Sequence, residues 1–518
     1  MIHTVTDKPQ KHFKHQKLGI ETVLQLLAII LTISIFLKAI IDLDINYDPW
    51  WYHLPFAARI WGIVPPEVFL GDEKWFEPRF AGFPLLAHFL QGFFWKITGR
   101  IQATNLVNFF SIVIYFLFLK TYFQVPAYLS AIALFAIPLV LTHATTSFVD
   151  LPGNVGTSIL VMMTYRFYHH QQLPNKRELF IIFLGAVIAA NTKTQLQPLV
   201  FVILLVIALR LIYLYFQQPS KPKKQLFQIL PIALLASVLI FATPVKNTVL
   251  YGNPMYPIKL QIGGVVLNHK LSPEAFNEGN RQQNWLKSVL EINTPFTWTP
   301  DQWSTDISRN RRGGFFGAYV IFNVLLLVSL FIQELVQNKS LPKSDHSKAA
   351  KLALITALLM SLVPMNFPQS HELRYFMFWM ISLVSLNLYL VSRPQTSNQW
   401  RWLQPKYIGL VYALFLMIVL SKIGGLYAKP MFYDLKTQIW NGVKPEFLSL
   451  IKPDDQVCLI SKHIGEDART APIAALKYAF LYSSHFHPEL NYNYSIKAAF
   501  DPASCGDLHR IPEKLLTQ

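Results

Sequence analysis

The sequence predicts an all-α membrane protein that crosses the bilayer many times and ends in a small α/β domain. Of its 518 residues, 52% are hydrophobic and only 14% are charged, whereas a soluble globular chain carries about 25% charged residues. The mean hydropathy is +0.32, and so much apolar surface excludes a disordered chain. Long apolar runs recur from Leu18 to Ile423, which argues against an ordinary soluble enzyme.

The formal net charge of +17 at pH 7 raises the question of a nucleic-acid partner. The basic residues, however, stand in short clusters between apolar runs rather than along one helix. The retention of Lys and Arg on the cytoplasmic side of a membrane explains this placement without any partner. We therefore expect contacts with membrane lipids and none with nucleic acid.

The first apolar run, Leu18–Ile41, is long enough to cross a bilayer, because it measures about 36 Å as a helix. A basic group precedes it, formed by Lys8, Lys11, Lys14 and Lys17. The N-terminus is therefore expected in the cytoplasm. No small-residue cleavage site follows the run, so we predict a retained span rather than a signal peptide.

Ten further runs are apolar enough to span: Ala103–Leu119, Val125–Leu141, Leu151–Tyr168, Leu179–Thr192, Leu196–Phe216, Leu226–Thr243, Phe315–Ile332, Leu352–Val363, Tyr375–Val391 and Tyr407–Ile423. Basic residues fall on alternate connections: Lys120; Arg166, Lys176 and Arg177; Arg210, Lys221, Lys223 and Lys224; Lys339, Lys343, Lys348 and Lys351; Arg393, Arg401 and Lys406. With about eleven spans, all of these groups lie on the cytoplasmic side.

The run Phe83–Ile97 would break this alternation if it spanned, so we predict an amphipathic helix at the outer interface. The predicted transmembrane domain covers residues 1–425, with long outer loops at 42–101 and 244–314. Residues 426–518 form a separate outer domain, with a strand-like run at Gln456–Ser461 and a helix-like run at Pro472–Ser483. Both cysteines, Cys458 and Cys505, lie in this domain, either as a disulfide or as two free thiols.

Chemistry-bearing residues follow the first span, in the segment Asp44-Ile-Asn-Tyr-Asp48-Pro-Trp-Trp-Tyr52-His53. A carboxylate beside apolar surface can accept a proton from an attacking hydroxyl group. The alternative is that Asp44 and Asp48 only end the helix and stay solvated.

Further ionisable residues recur next to span ends on the same predicted face: Asp150, Lys193, His371, Glu372 and Arg374. Each alone could be a helix cap or a side chain that reaches the interface. Ionisable residues at such depth usually face a cavity or a pathway. Their convergence from several chain regions favours a functional site.

The segment Asp48-Pro-Trp-Trp-Tyr-His-Leu-Pro with Ala57-Ala-Arg-Ile-Trp-Gly62 resembles the first outer loop of the GT-C glycosyltransferases. Within that family it resembles bacterial members akin to the lipid A aminoarabinose transferase and the protein O-mannosyltransferases. Later segments resemble family elements in the same order, over about residues 18–389: Phe83-Pro-Leu-Leu-Ala-His, Ile97-Thr-Gly99, Phe148-Val-Asp150-Leu-Pro, Asn191-Thr-Lys193, Tyr251-Gly-Asn-Pro-Met-Tyr-Pro257 and Arg374-Tyr375.

The resemblance implies a GT-C-like fold and transfer of a sugar from a polyprenyl-phosphate donor to a lipid, glycan or protein acceptor. It places the active site on the periplasmic face of a bacterial inner membrane, with the C-terminal domain also periplasmic. Asp48 would be the catalytic carboxylate and Asp150 a second acidic residue. The donor phosphate and the substrates would be bound by Lys193, Arg374, Arg79, Tyr52, His53, Glu77, His371 and Glu372.

Two departures from the family pattern bear on the chemistry. Pro49 stands where many members carry a second acid, and Glu77-Pro-Arg79 only loosely replaces a Glu-Lys-Pro-Pro motif. Acceptor identity and a divalent-metal requirement therefore stay open. Lys or Arg can hold a leaving phosphate, so no cofactor is required.

Two other functions compete with a transferase. A transporter or flippase for lipid-linked sugars would show internal repeats and charges near the bilayer midplane. An oligosaccharide ligase or polymerase would rely on the basic loop that contains His269, Arg281, Arg309, Arg311 and Arg312. We prefer a transferase, because that loop is also explained by anionic headgroups nearby.

Overall fold

The computed structural model describes residues 19–44, 46, 48–63, 76–170, 172–217, 223–272, 279–291, 314–338, 348–393, 400–435, 437, 457–460, 497–499, 506–507 and 509–512. Helices dominate these residues, as the composition predicts. Several predicted features lie outside the described residues: Lys8, Lys11, Lys14, Lys17, Arg309, Arg311, Arg312, Cys505 and the run Pro472–Ser483.

The described helices are α1 Ile20–Ile41, α2 Leu54–Ile60, α3 Phe76–Gly82, α4 Leu86–Thr98, α5 Leu106–Phe123, α6 Ala127–Phe135, α7 Pro138–His143, α8 Asp150–His169, α9 Lys176–Ala190, α10 Gln197–Phe216, α11 Lys223–Ile240, α12 Ala242–Tyr251, α13 Arg281–Leu290, α14 Gly317–Asn338, α15 Ala349–Asn366, α16 Met377–Ser392 and α17 Pro405–Tyr427. A π-helical turn, Pro49–His53, precedes α2. Short 3₁₀ turns lead into later helices at Ile101–Asn105, Thr194–Leu196, Leu373–Phe376 and Arg401–Leu403.

Short strands form two small sheets in the described residues. Strands β1 (Gln261–Ile262) and β2 (Val265–Val266) make an antiparallel hairpin, in which Gln261 pairs with Val266. Near the C-terminus, β3 (Val457–Ile460) lies between β4 (Lys497–Ala499) and β5 (His509–Pro512), and all three run parallel. Strand β3 confirms the strand predicted at Gln456–Ser461.

Seven helical segments of the described chain are long and apolar enough to cross a membrane: Ile20–Ile41, Ile101–Phe123, Thr194–Phe216, Gly317–Val336, Ala349–Asn366, Leu373–Ser392 and Pro405–Tyr427. The pair Pro231–Ile240 and Ala242–Tyr251, bent by 75°, would be an eighth if it forms one broken span. The protein is therefore a multi-pass helical membrane protein.

The three other predicted spans are helical but fall short of a simple span. Helices α6 and α7 are separate pieces of 9 and 6 residues, and α9 has only 15 residues. Helix α8 has 20 residues but carries many polar side chains, most of them buried in the protein. The total of eleven spans therefore stays a prediction.

Helix α8 lies at the centre of the bundle, where it packs against α5, α9, α10, α15 and α16. Its closest neighbour is α9, because glycines meet at the contact. A Cβ on Gly156 would lie 2.6 Å from the Gly185 carbonyl oxygen, and a Cβ on Gly185 would lie 3.1 Å from that of Gly156. Small residues allow such backbone contact between membrane helices.

Buried amide and hydroxyl groups join the later helices within the bundle. The side-chain nitrogen of Asn387 on α16 donates to the Asn323 carbonyl oxygen on α14 at 2.9 Å. The hydroxyl of Tyr412 on α17 donates to the Asn323 side-chain oxygen at 2.9 Å. Hydrogen bonds of this kind stabilise helix association in a bilayer.

Helix α4 coincides with the run predicted not to cross the membrane. It has 13 residues, fewer than the roughly 20 that a spanning helix needs. The helix buries His88 and Gln91 against the bundle and exposes Phe89, Phe93 and Ile97. An apolar outer face suits the predicted interfacial location.

Candidate functional site

The first loop is fixed by Asp44, three residues after the end of α1. One carboxylate oxygen of Asp44 accepts hydrogen bonds from the backbone and side chain of Asn46 at 2.9 and 2.6 Å. The other accepts the Ser147 backbone N–H at 2.6 Å. Asp44 is 4% exposed and Asp48 is 6% exposed, so neither is the solvated helix-end carboxylate of the alternative interpretation. Asp44 ties the loop to the segment before α8.

Asp48 forms a buried ion pair with Arg374. The guanidinium Nη1 donates to Asp48 Oδ2 at 2.6 Å, and each side chain is 9% exposed. Arg374 lies in the 3₁₀ turn before α16, so the contact joins residues far apart in the chain. Arg374 is therefore a buried ion-pair partner and not a side chain that only reaches the interface.

Asp150 and Lys193 form a second buried ion pair. The Lys193 ammonium lies 2.7 Å from Asp150 Oδ1, with side chains 10% and 1% exposed, respectively. Asp150 is the first residue of α8, and Lys193 lies in the tight turn between α9 and α10. The close packing of α8 on α9 brings these two helix ends together.

The aromatic ring of Tyr375 contacts the cations of both pairs. Lys193 Nζ lies 4.5 Å and Arg374 Cζ lies 5.0 Å from the ring centroid. The Tyr375 hydroxyl also accepts a hydrogen bond from Arg374 Nη2 at 3.1 Å. The two ion pairs thus belong to one cluster, held together in part by cation–π attraction. We call Asp48, Asp150, Lys193, Arg374 and Tyr375 the ion-pair cluster.

Asn154, one turn into α8, fixes the segment that carries Arg374. Its side-chain nitrogen donates to the carbonyl oxygens of Asp150 at 2.8 Å and Arg374 at 3.1 Å. Its side-chain oxygen accepts the Phe378 backbone N–H at 2.9 Å. Asn154 was not predicted from the sequence, although a carboxamide inside a predicted span is the type of residue that marks such sites.

The predicted residues His371 and Glu372 lie beside the ion-pair cluster. Both are buried. Glu372 Oε2 lies 3.6 Å from Arg374 Nε, and Glu372 Oε1 lies 3.9 Å from His371 Nε2. Arg374 therefore has two carboxylates nearby, of which Asp48 makes the closer contact.

His53 and His88 form a buried pair next to the cluster. His53 Nδ1 lies 2.8 Å from His88 Nε2, and the rings are 0% and 2% exposed. Burial lowers the pKa of both rings, with a further contribution from Lys193, and the pKa of His88 falls to about 3. Both rings are therefore neutral at physiological pH. His53 was predicted as a site residue from the sequence, whereas its partner His88 was not.

Tyr52 completes this side of the site. Its ring centroid lies 4.0 Å from that of His53. Burial, together with the charge of Asp48, raises the pKa of Tyr52 well above its ordinary value. The hydroxyl therefore keeps its proton and can donate a hydrogen bond.

Glu77 and Arg79, also predicted to bind substrate, lie half-buried on α3. Glu77 accepts a hydrogen bond from Arg59 Nη1 at 2.5 Å, and the Arg59 guanidinium stacks on Phe80 at 4.1 Å. The partner of Glu77 is thus Arg59 rather than Lys193 or Arg374. A substrate-binding role for these two residues stays a prediction.

An apolar groove of about 280 Å³ runs between α8, α10 and α15. Its wall includes Val202, Ile355 and Leu359, which are 49%, 41% and 60% exposed, so the groove opens on the outside of the bundle. Phe378 also lines it, and its backbone N–H is bound by Asn154. On α8 the lining residues run from Val161 to Tyr168, towards the end of the helix opposite Asp150, and Phe378 links the groove to Asn154.

Arg166 lies near the other end of α8 and contacts residues outside the ion-pair cluster. Arg166 Nε donates to Glu178 Oε1 at 3.0 Å, and Arg166 Nη1 donates to the Tyr122 carbonyl oxygen at 2.7 Å. Sixteen residues of helix, about 24 Å, separate Arg166 from Asp150. Asp150, a predicted site residue, and Arg166, a member of the predicted cytoplasmic group, thus lie at opposite ends of the same helix.

Across the described residues, no group of three or more His, Cys, Asp or Glu side chains is arranged to hold a metal ion. The carboxylates of Asp48 and Asp150 are instead paired with the side-chain cations of Arg374 and Lys193.

Fold and site together define a multi-pass helical membrane protein with buried acids and bases at one end of its bundle. Compared with known proteins, the chain matches no family model, no curated protein and no solved structure. The GT-C resemblance therefore rests on the residues themselves.

Proposed function

We propose that this protein is a GT-C-like glycosyltransferase with about eleven spans. It transfers a sugar from a polyprenyl-phosphate donor to a hydroxyl group of a lipid, glycan or protein acceptor, at the periplasmic face of a bacterial inner membrane. The observation that supports the proposal most is the convergence of two carboxylate–cation pairs around Tyr375.

The chemistry of this transfer needs one group of each charge. Positive charge develops at the anomeric carbon as the sugar–phosphate bond breaks, and negative charge develops on the leaving phosphate. Asp48 serves as the base for the acceptor hydroxyl, and Arg374 and Lys193 stabilise the leaving phosphate. A single displacement inverts the anomeric centre, by analogy with glycoside hydrolysis.

The ion pairs also provide a way to couple donor binding to activation of the base. In the protein without a bound donor, Arg374 is paired with Asp48, and Lys193 is paired with Asp150. Two oxygens of a phosphate can accept two parallel hydrogen bonds from the Arg374 guanidinium, as the two oxygens of a carboxylate can. Donor binding then draws Arg374 away from Asp48 Oδ2, and this oxygen accepts the hydroxyl proton.

The groove between α8, α10 and α15 suits the lipid part of such a donor. It is apolar and opens on the exposed side of the bundle, and it is lined in part by Phe378, whose backbone N–H is bound by Asn154. A polyprenyl chain lying there would present its phosphate to Lys193 and Arg374. A water-soluble nucleotide-sugar donor would have no use for this groove.

The experiment is sugar transfer by the purified protein in proteoliposomes, with a panel of polyprenyl-phosphate sugars and an extract of envelope acceptors. Asp48→Asn keeps the size of the side chain but removes proton acceptance, so transfer should fall by about 10² or more. Glu178→Gln is the matched control, since it makes the same change in an ion pair at the other end of α8. Its transfer rate should equal that of the wild type.

Two results would contradict the proposal. One is the absence of transfer from every polyprenyl-phosphate sugar by folded wild-type protein. The other is near-normal turnover of Asp48→Asn. Movement of an intact lipid-linked sugar across the vesicle membrane, without transfer, would favour the transporter instead.

A further inference from the structure

A second apolar groove, of about 480 Å³, lies between α1, α5 and α6 on the outside of the bundle. We call it the α1–α5–α6 groove. Ala28 and Ala131, both buried, form its floor, and its rim is formed by three side chains that are more than half exposed: Ile29, Ile33 and Leu117. Its volume is within the range of small-molecule sites, about 300–1,000 Å³. The three helices thus leave room for an apolar ligand.

The α1–α5–α6 groove extends over only part of the membrane. On α1 its lining residues run from Gln25 to Ile33, which corresponds to about 12 Å of helix. Half of the hydrocarbon core of a bilayer is about 15 Å thick. The groove therefore matches the acyl chains of one leaflet. A membrane-spanning helix of a partner would instead lie along the whole core of about 30 Å.

Polar side chains line one end of the groove. Gln25 on α1 and Tyr128, in the first turn of α6, lie there. The Tyr128 hydroxyl donates to Glu21 Oε1 at 3.4 Å. Glu21 stands one turn before Gln25, on the same face of α1. A carboxylate therefore lies at this end of the groove.

A cation, Lys120, lies at the same end. It follows the lining residue Phe116 by four positions, so it lies on the same face of α5. Helices α1 and α5 run in opposite directions, since Asn105, just before α5, donates to the Asp42 carbonyl oxygen, just after α1, at 3.0 Å. The last turn of α5, with Lys120, therefore lies level with the first turn of α1, with Glu21.

The two charges suggest the headgroup of the ligand. Glu21 and Lys120 are both exposed, and within the described part of the chain neither forms an ion pair. A phosphate suits Lys120, and an ammonium group suits Glu21. A phospholipid with an ethanolamine headgroup carries both groups. A glycerol headgroup has the phosphate but no cation for Glu21.

We propose that the α1–α5–α6 groove binds phosphatidylethanolamine, with its acyl chains in the groove, its phosphate at Lys120 and its ammonium group at Glu21. Under the topology predicted from charge, this lipid belongs to the cytoplasmic leaflet. The site is built from helices that do not carry the ion-pair cluster, and it does not depend on the proposed glycosyltransferase function.

Lipid binding by the purified full-length protein, freed of lipid in detergent, tests the site. Phosphatidylethanolamine or phosphatidylglycerol with the same acyl chains is added, and the bound lipid is counted by native mass spectrometry. The wild type should bind phosphatidylethanolamine about 5-fold more tightly, the usual contribution of one charge at a headgroup. Equal affinity for the two lipids overturns the proposal.

Variants of exposed residues assign the two charges. In Glu21→Gln the preference for phosphatidylethanolamine should disappear, and Lys120→Gln should weaken the binding of both lipids by about 5-fold. Lys406→Gln is the matched control, because it removes an exposed cation from the first turn of another helix, α17. Its lipid binding should equal that of the wild type. Equal binding by Lys120→Gln and Lys406→Gln overturns the headgroup assignment and the proposal with it.

A third variant tests the groove itself. Ala127 is half-buried at the start of α6 and lines the groove, so Ala127→Phe should fill part of it. Binding of both lipids should fall without a change in their ratio, in protein whose circular dichroism is that of the wild type. Unchanged binding overturns the proposal. A dimer in the mass spectrum that Ala127→Phe dissociates also overturns it, because a second copy then covers the groove.

Discussion

Breaking the Lys193–Asp150 pair should cost more stability than any exposed charge change. Lys193→Met leaves the Asp150 carboxylate, 1% exposed, without the ammonium that lies 2.7 Å from it. Removing one partner of a buried ion pair costs about 3–5 kcal/mol. Because Arg374 also attracts Asp150, we expect the lower end, about 3 kcal/mol.

The opposite change, Asp150→Asn, should cost less. Lys193 is 10% exposed and keeps its contact with the Tyr375 ring, so we expect about 2 kcal/mol, the range for a hydrogen bond to a charged group. The double variant removes both charges but leaves a buried carboxamide without its cationic partner, so its total cost should also be about 2 kcal/mol. The cycle then gives a coupling free energy of about 3 kcal/mol.

The measurement is denaturant-induced unfolding of the four proteins in mixed micelles, followed by tryptophan fluorescence and circular dichroism. The control is the same cycle on Arg59 and Glu77, whose side chains are 23% and 33% exposed. This more exposed pair should give a coupling of about 1 kcal/mol or less. Equal coupling in the two cycles would refute the buried pair, and with it the donor-phosphate role of Lys193.

Three other predictions concern the site, its protonation and the topology. Arg374→Ala should abolish donor binding by the purified protein, whereas Arg374→Lys should only weaken it, because ammonium cannot fork onto two phosphate oxygens; unchanged affinity in Arg374→Ala removes this residue from the site. The pKa of His88 lies near 3 in the folded protein, below the ordinary 6.5, so the unfolded chain binds more protons below pH 6.5 and stability falls as the pH falls. His88→Gln should therefore reduce the slope of unfolding free energy against pH, measured from pH 6 to 5, by about 1.2 kcal/mol per pH unit; an unchanged slope would mean that His88 protonates freely when folded. In a chain lacking its native cysteines, Cys at Val265, which is 63% exposed, should react with an impermeant thiol reagent added outside the cell. Cys at Lys224 should not react, and reversed labelling would invert the topology.

The helical fold was predictable because it depends on local composition. Runs such as Leu18–Ile41 and Tyr407–Ile423 correspond closely to α1 and α17, since a long apolar stretch has few other solutions in a membrane. The bend between α11 and α12 was not foreseen. Pro231 and Pro244 stand in that stretch, but their presence alone does not say where a helix bends or by how much.

The members of the candidate site were more predictable than their partners. Asp48, Asp150, Lys193 and Arg374 each stand next to an apolar run, and the cost of placing such residues there marks them individually. Their pairing depends on the packing of α8 against α9 and α16, which no local pattern encodes. His88 was missed for the same reason: its partner His53 lies in another element, and neither residue alone differs from an ordinary buried histidine.

The contact between Gly156 and Gly185 affects the geometry of the ion-pair cluster, although neither residue is charged. Gly156 lies six residues after Asp150, so about 9 Å of rigid helix connects the two. Gly185 stands on α9, the helix that leads into the turn with Lys193. A single methyl group on either glycine would push α8 and α9 apart. Because each helix is rigid, the displacement would also move the helix ends that carry Asp150 and Lys193. The distance between Asp150 and Lys193 thus depends on two glycines, which have no side chain.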